Sequence, residues 1–176
     1  MGEYFPGEIQ IGGKLKAELL DEFLQVVRDS GALDEEYDEP FTATSAEELD
    51  GFMNGDGHLS LADPEARYGH FEEIEEFCQA HELSYNQHND PKYEYDSENV
   101  YWRLGMEGPL TVCSNNNGVD LVDVNKIRPV VEELAGLVGT EYHRDQLRLA
   151  IHDAYQKLNA ALPPKVEPLP PLEIVE

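Results

Sequence analysis

Between His70 and Gly105 the spacing of apolar residues changes period, and that change restricts the chain to folds in which a helix runs directly into β-structure. In HFEEIEEFCQAHE, Phe71, Ile74, Phe77, Cys78 and His81 recur three and four apart, with Glu72, Glu73, Glu75, Glu76 and Glu82 around the rest of the helix. From Leu83 the period falls to two. Leu83 to Gln87 reads as one strand and Asn99 to Leu104 as another, the latter with Val100, Trp102 and Leu104 on one face. Tyr93 and Tyr95 alternate in the same way, and Pro91 marks the turn before them.

The remaining segments extend this pattern in both directions. Glu8 to Ile11 alternates and is closed by Gly12 and Gly13, and a helix carrying Leu15, Leu19, Leu20, Phe23, Val26 and Val27 on one face then runs to Gly31. Thr44 and Ser45, followed by Glu47 and Glu48, offer a capping box for a short helix ending near Met53, and His58 to Leu61 reads as a strand. Leu110 to Ser114 and Val119 to Val124 flank Asn115, Asn116, Asn117 and Gly118, a loop that tolerates positive φ and predicts a hairpin. Asn125 to Val138 is helical, with Pro129 in its first turn. Gly139 stops it, and Thr140 caps a last helix running to about Leu162 with Leu147, Ile151, Ala154 and Leu158 in a stripe.

These elements predict an α+β fold: an antiparallel sheet of about five strands with amphipathic helices packed on it, then a C-terminal helix and an extended Pro-rich tail. The expected division is an acidic domain over 1–138, a helix over 139–162 packed on it or dimerising, and a flexible tail over 163–176. The segments around GEIQIGG and GHLSLADPEARYG share a strand, a glycine-containing loop and an amphipathic helix, which is consistent with a split β-α-β unit.

Charge is the compositional anomaly. The chain carries 37 acidic and 12 basic side chains, a net −25, and residues 1–98 alone hold 26 acidic against 5 basic. Such a field repels nucleic acid and anionic membrane and favours cationic partners. Five carboxylates fall within 33–40, and the exposed side of the helix after His70 carries more. Cys78 and Cys113 form no metal-binding pair and read as free thiols of a reducing, cytoplasmic compartment. No run approaches the length of a membrane span, and the N-terminal residues show no leader pattern; Pro6 also breaks the myristoylation motif at Gly2.

Chemistry-bearing motifs are sparse. No Gly-rich phosphate loop, HExxH or GxSxG is present, and no cofactor signature appears. Asn54 to Ser60 resembles the middle of an EF-hand calcium loop, but that alignment puts Phe52 at the first ligand position and Asp63 at the last, so a turn is the better reading. A divalent metal would draw on His81, His88 and Asp90, which suit zinc or manganese if the junction between helix and strand brings them together. Cys113 would be a nucleophile only with a histidine beside it, and a buried strand cysteine is the simpler account.

The function this supports is that of a small acidic interaction protein. Asp34, Glu35, Glu36, Asp38, Glu39, Glu72, Glu73, Glu75 and Glu76 would form an acidic face for a basic, nucleic-acid-binding protein, standing in for a phosphate backbone. Direct nucleic-acid and membrane binding are not expected. The alternatives are a metal-dependent enzyme using the His/Asp set, and a structural or regulatory subunit that forms a homodimer through its C-terminal helix.

Overall fold

A computed structural model describes residues 3–92, 96–138 and 143–176. The alternation of Tyr93 and Tyr95, the helix stop at Gly139 and the cap at Thr140 lie outside the described residues, as does Gly2. The structure groups the chain into a sheet unit, residues 1–120 with 166–176, and a helical unit, residues 121–165.

In the sheet unit, β1 (Tyr4–Lys16) is the central strand. It runs antiparallel to β3 (Leu59–Arg67) on one side and β4 (Ser84–Asn89) on the other. The order continues outward through β5 (Glu98–Trp102) to β6 (Leu110–Cys113), while the two-residue β2 (Leu33–Asp34) flanks β3. Because β3 and β4 both oppose β1 and are joined through α3 (Glu72–Ala80), they form the split β-α-β unit that the paired sequence segments suggest.

Alternation along the strands separates two faces. Ile9, Ile11, Leu59, Leu61, Tyr85 and Val100 turn to one side and bury against Phe23, Leu24 and Val27 of α1 (Leu20–Ser30) and Ile74, Phe77 and Cys78 of α3. The two helices meet through Phe23 and Phe77, with ring centroids 5.4 Å apart. α1 ends where the sequence predicts, at Gly31 with φ 75, whose N–H bonds Arg28 O. The short helix α2 (Ala46–Leu49) takes Ser45 as its N-cap, and Glu48 reaches back to the N–H and hydroxyl of Thr44.

Three features depart from the sequence reading. β1 does not stop at Gly12 and Gly13 but passes through them, because a strand from the C-terminal end needs the room. A Cβ on Gly12 would stand 1.8 Å from Pro170 O. β7 (Leu172–Val175) pairs in parallel with Gly13 to Lys16, Leu172 is buried, and its N–H bonds Gly57 O at 2.8 Å. The flexible tail expected over 163–176 is thus a docked strand from Leu172 onward. Its prolines keep the approach extended, and the parallel ladder then holds the apolar residues that follow.

The hairpin after β6 is the second departure. The turn forms, with Asn115 Oδ1 accepting from the N–H groups of Asn117 and Val119. The returning arm, however, makes a single bridge, Ser114 to Asp120, and Val119 to Val124 is not a strand. Asp120 and the carbonyl of Gly118 are drawn onto β5 by Asn99, so the loop lies against the sheet's face rather than extending its edge. Third, Cys113 is exposed, not buried; Cys78 is the buried thiol, and both are free.

The helical unit pairs α4 (Val124–Leu137), capped by Asp123, with α5 (Arg144–Ala161). Within it Val130 and Ala154 are buried and Lys157 pairs with Glu133 at 2.9 Å. Val124 and Val131 of α4, with Val138 just past its end, lie seven residues apart and are exposed, as are Leu149 and Tyr155 of α5. No helix among the described residues is long and apolar enough to cross a membrane.

Candidate functional site

The face of the sheet turned away from α1 and α3 is polar, and strand register assembles it row by row. Glu8 lies between Ala62 and His88, and His88 lies opposite Asn99. In the neighbouring row Gln10 lies between Ser60 and Asn86, and Asn86 opposite Tyr101. Directly opposed side chains on one face are about 5 Å apart at Cβ, so these two rows form one continuous patch. The folded-back loop at Asn116 to Gly118 walls it, leaving a cleft of about 480 Å³.

Hydrogen bonding in the cleft is directional. Asn99 Nδ2 donates to Gly118 O and to Asp120 Oδ1, both at 2.7 Å, which turns Asn99 Oδ1 toward His88 Nδ1 at 2.8 Å. An amide oxygen can only accept, so Nδ1 carries a proton. In the neutral ring the lone pair is then on Nε2, which is buried without a hydrogen-bond partner, 3.7 Å from Asp90 Oδ1. Tyr101 donates its hydroxyl to Asp120 Oδ1 at 2.8 Å. Burial first, and then Asp120, push its pKa up to about 12.

The acidic connector after β2 contributes a second phenol. Tyr37 adopts φ 62, a left-handed conformation uncommon for a tyrosine, and its hydroxyl donates to Glu8 Oε1 at 3.1 Å. Burial, followed by Glu8, raises its pKa, with Asp90 and Asp63 adding to the same effect. The connector is therefore tied to β1 at Tyr37, with Glu35, Glu36, Asp38 and Glu39 exposed around that tie. Asp34 Oδ1 binds the N–H groups of Asp38 and Glu39, so Asp34 organises the turn instead of presenting a free charge.

The residues singled out in the sequence separate under this geometry. His88 and Asp90 come together in the cleft, whereas His81 caps α3 with its ring 4.3 Å from that of Phe77. The His81, His88 and Asp90 metal set does not assemble, and among the described residues no three His, Cys, Asp or Glu side chains cluster to hold an ion. The reason is the helix-to-strand junction: it leaves His81 on the helix, while His88 belongs to the polar face of β4. Asn54, in the calcium-like segment, spends its Oδ1 on the N–H groups of Asp56 and His58 and builds the expected turn.

Of the acidic face, Glu35, Glu36, Asp38, Glu39, Glu72, Glu73 and Glu76 are exposed. The exceptions are Asp34, which organises its turn, and Glu75. The Glu75 side chain is 13% exposed, and Oε1 accepts from Phe71 N and pairs with His70 Nδ1, each at 3.0 Å. Gln87 Nε2 also approaches His70 Nδ1 at 2.9 Å, but that nitrogen cannot donate to Glu75 and accept from Gln87 at once. The hydrogen bond to Glu75 raises the His70 pKa and favours the protonated form, leaving Gln87 Nε2 its bond to Gly69 O.

This pair makes a pH prediction. A histidine whose pKa is raised on folding contributes stability in full below its ordinary value of 6.5, and that contribution disappears as pH climbs through the raised value. The urea midpoint is expected to fall across that interval, and Glu75→Gln should flatten the fall. An equal slope in parent and variant would show that His70 is not its source.

The chain matches no family model, no curated protein and no solved structure. The cleft itself was missed in the sequence, although a signal was there. The positions of β1, β4 and β5 that line the cleft, namely Glu8, Gln10, Asn86, His88, Asn99 and Tyr101, include no lysine, arginine or threonine of an ordinary solvated sheet face.

Proposed function

We propose that the protein is an interaction module that captures a basic protein partner through its sheet unit, in the manner of a nucleic-acid mimic. The observation that supports this reading is the partition of charge. The sheet unit carries 31 acidic and 6 basic side chains, and the helical unit carries 6 of each. All of the net −25 therefore belongs to one unit, well beyond the magnitude of about 2–8 that serves solubility in a small domain. A field of that size steers cationic surfaces toward the sheet unit, and association releases counterions as it does from DNA. Two free thiols fit a partner met in the cytoplasm.

The test uses purified basic nucleic-acid-binding proteins, with duplex DNA as competitor. Capture at about 0.15 M salt, displacement by DNA and loss near 1 M, where the screening length is about 3 Å, is the expected result. Replacing Glu35, Glu36, Asp38 and Glu39 by their amides should weaken capture. Capture that is indifferent to salt, or absent throughout the panel, would remove the reading.

A further inference from the structure

The polar cleft is a separate feature from the diffuse acidic surface, and its donors and acceptors are unequally spent. Both phenolic protons in and beside it are already committed, Tyr101 to Asp120 and Tyr37 to Glu8. Asn86 Oδ1 is taken by Arg103 Nη2 at 2.7 Å. The ionisable groups left over present only acceptors: the second oxygen of Glu8, the carboxylate of Asp90 and, in the neutral ring, the lone pair on His88 Nε2. Among the described residues no lysine or arginine lines the cleft.

The lining amides of Gln10, Asn86, Asn116 and Asn117 can donate to an occupant, but the two carboxylates call for positive charge, and that decides what the occupant must bring. A neutral polyol carries as many acceptors as donors and would leave the carboxylates uncompensated. Among the described residues a metal ion finds His88 and Asp90 close together without a third such ligand, too few for a protein cage. A guanidinium group has five N–H donors in a plane, no acceptor and a permanent charge. It answers each deficit at once.

We propose that this cleft binds a guanidinium group, with Glu8 and Asp90 pairing its charge and His88 Nε2 accepting one of its N–H bonds. The site is pre-built for this. Asn99, itself 4% exposed, fixes the His88 tautomer through an amide whose own orientation is fixed by Gly118 and Asp120. The volume of about 480 Å³ takes the group together with its alkyl stem. The inference rests on the reading of the protein as a binder of basic partners, since an arginine side chain is the commonest source of the group. A free guanidinium compound would be held by the same atoms.

The experiment titrates isotopically labelled full-length protein with N-acetylarginine methylamide at about 0.15 M salt, with the citrulline analogue and N-acetyllysine methylamide as comparisons. The arginine probe is expected to shift the His88 ring and Asn99 side-chain amide signals. Loss of charge-assisted hydrogen bonds in Glu8→Gln/Asp90→Asn should weaken binding about tenfold or more. Both side chains are at least partly exposed, so this variant should retain the parent amide spectrum. Citrulline binding as well as arginine, lysine binding as well as arginine, an absence of shifts at His88 and Asn99, or unchanged affinity in the double variant would each overturn the inference.

The protein panel then separates the two proposals. If salt-sensitive capture of basic proteins persists in the double variant while the arginine probe fails to bind, the cleft inference falls and the charge reading stands. If the probe binds in the cleft but no basic protein is captured, the charge reading falls, and the cleft is a site for a free guanidinium compound. An arginine-containing peptide compared with agmatine, each against the double variant, identifies which source the site prefers.

Discussion

Phe23→Ala should lower the unfolding free energy of the sheet unit by about 3–5 kcal/mol, the range for removing a buried aromatic from a packed core. Phe23 has no exposed surface and is enclosed between α1, α3 and the apolar face of the sheet. Its ring meets Phe77 at 5.4 Å, so truncation forfeits that contact as well as transfer free energy and leaves a void beneath both helices. Urea denaturation should show a much lower midpoint with a similar slope. Val131→Ala in α4, more than half exposed, is the control and should change stability by no more than about 0.5 kcal/mol. A loss below about 1 kcal/mol for Phe23→Ala would mean that the core collapses around the gap or that the residue is not enclosed.

The second large effect is expected at Gly12. An added methyl would stand 1.8 Å from Pro170 O, a backbone atom, and no side-chain rotation relieves such a contact. The Gly12→Ala variant must release the C-terminal segment, forfeiting the burial of Leu172 and the parallel ladder from Gly13 to Lys16. The cost is about 2–4 kcal/mol from one leucine and a few hydrogen bonds. Carboxypeptidase should trim the variant back from Glu176 while the parent resists. Equal resistance in both would show that β7 does not depend on that close approach.

These two sites also mark where the sequence was readable and where it was not. The stripe containing Phe23 announces itself, because a helix that buries one face must repeat its apolar residues every three or four positions. The same holds for α3 and for the alternation of β4 and β5. Gly12 and Gly13 looked like punctuation because glycine ends strands more often than it crosses them. Their use here depends on a segment some 160 residues later, and no local window contains that contact. Val119 to Val124 failed for a similar reason. Its β-propensity is sound, but Asn99 claims Asp120 and turns the loop across the face.

The cleft was half legible. Register follows from alternation once strand order is known, and the order β3-β1-β4-β5 is not encoded in any one strand. Without it, Glu8, His88 and Asn99 are three unrelated polar residues spread over more than 90 positions. Of the acidic residues singled out in the sequence, all but Asp34 and Glu75 are exposed. Those two are each held by local hydrogen bonds to nearby backbone N–H groups, which a count of charges does not reveal.

The return of the chain to β1 has a consequence for synthesis. The sheet unit is discontinuous, so a ribosome emitting the chain must make residues 121–165 before β7 can dock. At about 5–20 residues per second that delay is roughly 2–9 s. Throughout it the last turn of β1 is an unpaired edge, a surface on which a second nascent copy could add a strand. Lys14 and Lys16 are exposed on that very segment. Two positive charges on an edge waiting for its partner discourage the wrong strand from arriving first.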